Sequence, residues 1–234
     1  MPFNEPKNLI RKINRNEKEF YESNLYPIQD KVLSFFSSEK FYLTGGTCLS
    51  RFYYNHRYSE DLDFFFWGER YDLIEFELEF AKILKKIATI YDITLTVNEK
   101  SFKRAFIKAG KVSLKLEFIY DPFPVIGQRV KQNKFFLDTK ENIAVNKITA
   151  IYSRKTAKDF FDLYFLLKDF SLQDVIKKSA IKMVPPTFEE LIIALEVSFW
   201  EGQVLTSLEI DENEFITFTK DLINDILEYA KQPK

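Results

Sequence analysis

Apolar and polar residues alternate along the first half of the chain in patterns typical of a mixed sheet. Residues 41–44 form a short apolar run that predicts a buried strand. Residues 61–66, DLDFFF, predict a second strand, in which two aspartates alternate with apolar side chains. Three further strands are predicted, at residues 93–97, 102–108 and 112–120, with a turn at 109–111.

Helical spacing of apolar residues predicts the helices around these strands. The charged residues 5–22 favour a first helix, and Pro27 is suited to the first turn of a second one. Residues 47–54 and 71–90 predict two more, and from Glu141 the pattern is helical almost to the end, with interruptions at Pro185-Pro186 and near Gly202. This order predicts an α+β fold, with a mixed sheet and N-terminal helices at 1–140 and a helical domain at 141–234.

Composition narrows the class of protein. Hydrophobic residues make up 46% of the chain and charged residues 29%, which is typical of a globular protein. No apolar run approaches the roughly 20 residues that span a bilayer, and the first residues are polar, so we expect a cytoplasmic protein without a membrane partner. The net charge of −1 argues against general attraction to nucleic acid, although Lys103 to Lys115 is locally basic and is either an RNA guide or a solvated run.

The aspartate pair in DLDFFF is the first candidate site. Side chains alternate in a strand, so Asp61 and Asp63 project to one face and Leu62 to the other. Like charges at this spacing repel unless a cation lies between them, which predicts bound Mg²⁺ or Mn²⁺. Cys48 and His56 are the only cysteine and histidine, too few for a structural zinc site.

Glu117 is a candidate third carboxylate. It lies on the polar face of the strand 112–120, and pairing of that strand with DLDFFF would let it bind the metal or accept a proton from the attacking hydroxyl. The alternative is a solvated carboxylate paired with Lys115 or another lysine.

Two further features precede the aspartates. Gly45-Gly46 lies where a strand turns into a helix, so it is either a phosphate cradle or a tight turn that needs glycine for steric reasons. Arg57 is a candidate phosphate ligand because its planar fork matches phosphate oxygens. For His56, nucleotide contact and a surface position remain alternatives.

These residues resemble a known superfamily. Leu43-Thr44-Gly45-Gly46-Thr47 followed by Asp61-Leu62-Asp63 resembles the signature of polymerase-β-type nucleotidyltransferases. The longer string GGTCLSRFYYNHRYSEDLDFF, with NKITAIYSRKTAKDFFDLYFL further on, is similar to the AbiEii/AbiGii toxin family, whose relatives include the MenT toxins. The resemblance covers residues 41–168 and implies a polymerase-β-type mixed sheet flanked by helices, followed by a C-terminal helical bundle.

The resemblance also implies roles for individual residues. Gly45, Gly46 and Thr47 correspond to the nucleotide-binding motif, and Asp61 and Asp63 to the metal-binding motif. Ser59 matches a serine near the phosphates that is phosphorylated in some relatives. Lys147 and Asp159 match a lysine and an aspartate of the family's active site, and two nearby cations accompany them, Arg154 and Lys158.

The residues themselves support part of this second motif. Lys147 and Arg154 are seven positions apart, so a helix would present both on one face toward a triphosphate. Asp159 has an alternative role, because Thr156-x-x-Asp159 also fits a helix capping box.

The resemblance implies a metal-dependent enzyme that transfers a nucleotide from an NTP. Its acceptor would be RNA, such as a tRNA 3′ end, and the protein would act as the toxin of an abortive-infection toxin–antitoxin system, held in check by a separately encoded antitoxin. Two alternatives belong to other classes: a catalytically inactive protein of the same fold that binds a nucleotide or a partner, and a phosphatase with an aspartate nucleophile. The upstream Gly45-Gly46 favours NTP use over the phosphatase.

Overall fold

A computed structural model describes residues 8–68, 72–182, 187–196 and 200–231. The chain divides into two compact units: residues 14–139 form one, and the described residues among 1–13 and 140–234 form the other. None of the helices in the described part of the chain is long and apolar enough to cross a bilayer.

Helices and strands follow one another along the described residues in this order: β1 Ile10–Lys12, α1 Arg15–Glu19, a π-helical segment Phe20–Leu25, α2 Tyr26–Leu33, β2 Phe41–Thr44, α3 Gly45–Leu49, a second π-helical segment Ser50–Tyr54, β3 Leu62–Trp67, α4 Leu73–Ile87, β4 Asp92–Asn98, β5 Phe102–Ala109, β6 Val112–Asp121, β7 Val130–Gln132, β8 Phe135–Leu137, α5 Lys140–Ser153, α6 Ala157–Leu166, α7 Leu172–Ser179, α8 Phe188–Leu195, β9 Val204–Thr206 and α9 Glu212–Ala230.

The unit 14–139 contains a mixed sheet in the order β4-β5-β6-β3-β2-β8-β7. Its central strand β3 pairs antiparallel with β2 and parallel with β6. The strands predicted at 41–44, 61–66, 93–97, 102–108 and 112–120 are confirmed to within two residues at each end. The short hairpin of β7 and β8 is an addition that the apolar pattern did not predict.

The two faces of this sheet differ in burial, because buried and partly exposed side chains alternate along β3. Leu62, Phe64 and Phe66 are buried, whereas Asp63 and Phe65 between them are partly exposed. The buried face packs against aromatic rings from the neighbouring helices and strands, and the ring of Phe64 stacks on Phe36 at 4.0 Å between centroids. Each phenylalanine buried in this way contributes about 1.5–3 kcal/mol. Tight packing of this face therefore fixes Asp63 on the opposite one.

The predicted helix at 5–22 is wrong over residues 8–14. Residues 5–7 lie outside the described residues, and residues 10–12 form β1, which pairs in parallel with β9. The first helix instead begins at Arg15, after Asn14, whose side chain accepts a hydrogen bond from the Glu17 amide in a capping box. Pairing with a distant strand has overridden the local helical preference of this charged segment.

The second unit is mostly helical, as predicted, with one departure. Helices α5 to α9 are interrupted by β9, which follows the predicted break near Gly202. The predicted break at Pro185-Pro186 lies outside the described residues. Phe160 and Trp200 stack at 3.9 Å between ring centroids in the core of this unit, and Phe161 and Phe215 lie edge to face beside them.

Candidate active site

The aspartate pair lies at the start of the central strand. Asp61 directly precedes β3, and Asp63 is its second residue. In the sheet, Asp63 is in register with Thr44 of β2 on one side and with Glu117 of β6 on the other. The strand of Glu117 therefore pairs with the aspartate strand, as its predicted role required, and the three carboxylates lie on or directly beside two adjacent strands.

A lysine lies among these carboxylates. Lys115 Nζ is 2.9 Å from Asp61 Oδ2 and 3.5 Å from Glu117 Oε1. Glu117 Oε1 also accepts a hydrogen bond from Arg104 Nε at 2.7 Å. Glu117 therefore lies next to the aspartate strand and is also paired with Lys115, and its role toward a metal or a proton stays a prediction.

Electrostatics favour the charged form of this lysine. Partial burial opposes ionisation of Lys115, but the hydrogen bond to Asp61 and the charges of Asp61, Glu117 and Asp63 outweigh it, so the pKa of Lys115 lies above its ordinary value. The ammonium is therefore a permanent positive charge at neutral pH.

The Gly45-Gly46 turn touches the aspartate strand. Gly45 follows the last residue of β2 with φ +69°, a left-handed conformation that favours glycine. A Cβ atom at Gly45 would lie 2.7 Å from Asp63 Oδ2, and one at Gly46 would collide with the guanidinium of Arg57. A side chain at Gly45 would therefore crowd Asp63, and one at Gly46 would have to displace the end of the Arg57 side chain.

Thr47 connects this turn to the segment before β3. Its hydroxyl is hydrogen-bonded to the Ser59 hydroxyl at 2.8 Å and also contacts the backbone carbonyl oxygen of Asp61. Thr47 is buried, while Ser59 is partly exposed. The structure therefore brings together the nucleotide-binding and metal-binding motifs that the resemblance implied.

Arg57 and His56 are both buried in the loop before β3. Arg57 lies against Gly46 and donates a hydrogen bond from Nη1 to the Tyr58 carbonyl oxygen at 3.0 Å. His56 packs edge-on against Tyr54, with ring centroids 5.8 Å apart, and has no exposed surface, so the surface alternative for this histidine is wrong. The loop thus holds the Arg57 side chain close to the glycine turn.

The donor set suits a hard cation. Asp61 and Asp63 offer carboxylate oxygens, and Mg²⁺ combines a few of these with water and substrate phosphates. Within the described ranges, no group of three or more His, Cys, Asp or Glu side chains is arranged to hold a metal ion. The arrangement fits a site in which two aspartates, rather than a complete protein cage, bind the metal.

A second cluster of predicted residues lies in the other unit. Lys147 of α5 is buried, with Nζ 2.7 Å from Asp159 Oδ1 and 2.5 Å from Asp162 Oδ2. Arg154, which lies just beyond α5, binds the same Asp159 carboxylate, with Nε 2.9 Å from Oδ2. Lys147 and Arg154 do converge, as predicted from their spacing, but they meet on a carboxylate of the protein.

Asp159 does not have the capping role that was its alternative. Thr156 precedes α6 at the N-cap position, but its hydroxyl bonds to the Asp159 carboxylate instead of a backbone amide. Burial opposes ionisation of Asp159, and the charges of Lys147 and Arg154 outweigh it, which lowers the pKa to about 2. Lys158, the remaining cation of this motif, is exposed.

The basic run in the β5–β6 hairpin is only partly available to a ligand. Lys103 is buried and binds Glu77 and Asn98, so neither the RNA-guide nor the solvated interpretation holds for it. Arg104 and Lys115 are bound to carboxylates in the cluster described above. The exposed cations of this hairpin region are three lysines, Lys100, Lys108 and Lys111.

The contact of Lys115 with Asp61 and the participation of Asp162 escaped the sequence prediction. Lys115 is two positions before Glu117 on the same strand, and residues at this spacing share a face. Asp162 is three positions after Asp159 on a helix, which also places the two side chains on one face. Their spacing to an already selected residue was the available signal in both cases.

Known proteins are similar to this chain over the region that contains these motifs. The family described as nucleotidyl transferase AbiEii toxin, type IV toxin–antitoxin system, matches residues 32–190. An uncharacterized protein of Aquifex aeolicus is 29% identical over 177 residues, which cover 72% of this chain and 76% of that protein.

Solved structures share the fold. A Helicobacter pylori protein assigned as a nucleotidyltransferase has a TM-score of 0.59 at 21% identity, covering 91% of this chain and 99% of its own. MenT4, a nucleotidyltransferase toxin of Mycobacterium tuberculosis, has a TM-score of 0.53 at 13% identity, covering 88% and 86%. The predicted α+β nucleotidyltransferase fold is thereby confirmed.

The family match extends over more than half of the chain. It includes the Gly45-Gly46 turn, the aspartates of β3 and the Lys147–Asp159 cluster. The chain is a nucleotidyltransferase and belongs to the AbiEii toxin family of type IV toxin–antitoxin systems.

Proposed function

We propose that this protein transfers a nucleotide from an NTP to a hydroxyl group of RNA, with Mg²⁺ or Mn²⁺ bound by Asp61 and Asp63. The observation that carries the proposal is the position of Asp63, which lies directly against Gly45 and in register with Glu117. The Gly45-Gly46 turn has no side chains, so a triphosphate can approach its backbone. The neighbouring carboxylate pair can bind the cation that the triphosphate requires.

The metal, when bound, would offset the charge of the triphosphate and polarise the phosphorus under attack. The residues of the chain would then orient the nucleotide. Gly45, Gly46 and Thr47 provide space and hydrogen-bonding groups at the turn, and Arg57 lies against Gly46 with a fork that matches phosphate oxygens. Ser59, bonded to Thr47, borders the same space.

Glu117 enters the proposal as the third carboxylate. Its register with Asp63 supports a role as proton acceptor for the attacking hydroxyl. Its ion pair with Arg104 holds the side chain in place.

Lys147 and Asp159 enter the proposal through their correspondence to the family's active-site lysine and aspartate. Lys147 binds both Asp159 and Asp162, and these ion pairs hold the Lys147 and Asp159 side chains in a defined position. The accompanying cations Arg154 and Lys158 are exposed, and we assign them to nucleotide binding.

In the cell, we propose that the transferred nucleotide blocks growth. The acceptor would be the 3′ end of a tRNA in the cytoplasm, and a separately encoded antitoxin would hold the enzyme in check. Membership of a toxin family supports the biological role, and the partly basic β5–β6 hairpin supports an RNA acceptor.

Labelled nucleotide transfer tests the proposal. The protein is incubated with each α-³²P-labelled NTP, total RNA and either Mg²⁺ or EDTA, beside Asp63→Asn as a control of nearly equal shape. Labelled RNA that requires both the metal and Asp63 is the expected result. Nucleotide binding without labelled RNA would instead indicate the inactive binding protein, and release of inorganic phosphate would indicate a phosphatase.

A further inference from the structure

The ammonium of Lys115 is bound by the carboxylates that face the proposed metal. It lies 2.9 Å from Asp61 Oδ2 and 3.5 Å from Glu117 Oε1. The side chains of Lys115, Asp61 and Glu117 are 27%, 32% and 16% exposed, so the pairs are partly removed from water. Such pairs are stronger than ordinary surface salt bridges, which water screens.

Strand pairing fixes this arrangement. Lys115 and Glu117 are two positions apart on β6 and lie on the same face of the sheet. Strand β6 pairs with β3 so that Glu117 is in register with Asp63. The lysine therefore reaches Asp61 from a position that the sheet holds constant. Only its flexible four-carbon chain has to move for the ammonium to leave the carboxylates.

The charges of the cluster nearly balance without a metal ion. Asp61, Asp63 and Glu117 contribute three negative charges, while Lys115 and Arg104 contribute two positive ones. A divalent cation bound by Asp61 would meet the Lys115 ammonium at short range and be repelled by it. Loss of the lysine charge would therefore strengthen metal binding.

We propose that Lys115 is a positioning residue that acts as a tethered counter-ion, occupying the carboxylates in the absence of nucleotide and weakening metal binding there. This inference rests on the proposed function. A bound triphosphate offers the ammonium a new anionic partner, so the nucleotide frees Asp61 and the metal binds tightly only with its NTP. The cluster thus couples the two binding events.

Mn²⁺ titration of the full chain, followed by the electron paramagnetic resonance signal of free Mn²⁺, tests this coupling. Lys115→Met removes the charge and keeps a similar length, and Lys111→Met is the matched control at the exposed turn of the same hairpin. Without nucleotide, we expect Lys115→Met to bind Mn²⁺ about tenfold more tightly than wild type, with Lys111→Met unchanged. A non-hydrolysable NTP analogue should tighten Mn²⁺ binding more in wild type than in Lys115→Met.

Equal or weaker Mn²⁺ binding by Lys115→Met would overturn the inference, since the lysine would then be neutral or supportive toward the metal. Lys115→Gln replaces the first variant if circular dichroism shows that the methionine variant is unfolded, and the same tightening is expected. Asp63→Asn distinguishes a failure of the proposed metal site from a failure of the proposed role of Lys115. If Asp63→Asn leaves Mn²⁺ binding unchanged, the proposed metal site is refuted. If Asp63→Asn abolishes Mn²⁺ binding but wild type and the lysine variants bind Mn²⁺ equally well, only the role of Lys115 is refuted.

Discussion

Gly45 lies directly against Asp63: a Cβ atom added to Gly45 would be 2.7 Å from the Asp63 Oδ2 atom. Real side chains do not approach so closely, so one of the two residues would have to move. Gly45 also has φ +69°, where an added side chain is strained. The two effects can be separated, because Gly110 shares the strained backbone and lacks the contact.

We expect Gly45→Ala to abolish nucleotide transfer and Gly110→Ala to preserve it. Gly110 has φ +61° and nothing within 4 Å of an added Cβ, so it is a matched control for strain alone. Both variants should lose about 1–2 kcal/mol of unfolding free energy in urea titrations. Wild-type activity in Gly45→Ala would show that the turn and Asp63 do not cooperate.

A negative charge at Ser59 should silence the enzyme. The Ser59 hydroxyl is hydrogen-bonded to Thr47 beside the glycine turn, so a carboxylate there would repel the incoming triphosphate. We expect Ser59→Glu to raise the KM for NTP at least tenfold, and Ser59→Ala to stay close to wild type, in steady-state nucleotide transfer. Equal effects of the two changes would indicate that the hydroxyl, rather than the absence of charge, is what matters.

Growth arrest should depend on Asp63. Wild-type protein expressed alone in bacteria is expected to stop growth, and Asp63→Ala is expected to be harmless at the same expression level, because Asp63 is a proposed metal ligand. Colony counts after induction, with immunoblots for protein level, provide the measurement. Arrest by Asp63→Ala would trace toxicity to another property of the protein, and harmless expression of active wild type would argue for a housekeeping transferase.

Lys147→Ala should affect stability as well as activity. It would leave Asp159 and Asp162 buried without their shared ammonium, and breaking a buried ion pair in this way costs about 3–5 kcal/mol. Lys155→Ala is the control, with an expected loss below about 0.5 kcal/mol and a smaller loss of NTP use. Urea unfolding and nucleotide transfer are measured on both. Similar losses of unfolding free energy in the two variants would show that Lys147 does not stabilise the buried cluster.

The Asp159 carboxylate should make stability depend on pH in the acid range. Its pKa of about 2 in the folded protein lies below the ordinary 3.8, so its stabilising contribution is complete above about pH 4 and is lost as pH falls toward 2. The difference in unfolding free energy between wild type and Asp159→Asn should therefore shrink by about 2 kcal/mol over this range.

Asp169→Asn provides the control for that pH series, because Asp169 forms a more exposed ion pair with Lys140. Its difference from wild type should stay below about 1 kcal/mol at each pH. A constant difference between wild type and Asp159→Asn from pH 5 to pH 2.5 would contradict the assignment of the lowered pKa.

The sequence predicted the central part of the site because the information there is local. Alternation in β3 fixes which side Asp63 faces, and Gly45 is required by a turn between adjacent elements. The partners of these residues depend on strand order. Only the pairing of β3 with β6 brings Lys115 to Asp61, and a pattern of alternating residues does not specify which strands are neighbours.

Long-range pairing accounts for the main errors as well. Residues 10–12 are charged enough to suit a helix, yet they form a strand because a partner 194 residues further along the chain is available, as Ile10 pairs with Val204. The pairing is also why β9 interrupts the predicted run of C-terminal helices. Local preferences describe neither side of such a pair, since each strand is stabilised mainly by the other.

The pairing of β1 with β9 also sets an order of events during synthesis. Residues 14–139 are contiguous, so this unit can fold as soon as it leaves the ribosome. Residues 10–12 leave the ribosome earlier still, but their partner strand, 204–206, emerges close to the end of translation. The sheet of the second unit therefore closes late in synthesis, and a nascent chain that stops before Val204 has an N-terminal segment with no strand to join.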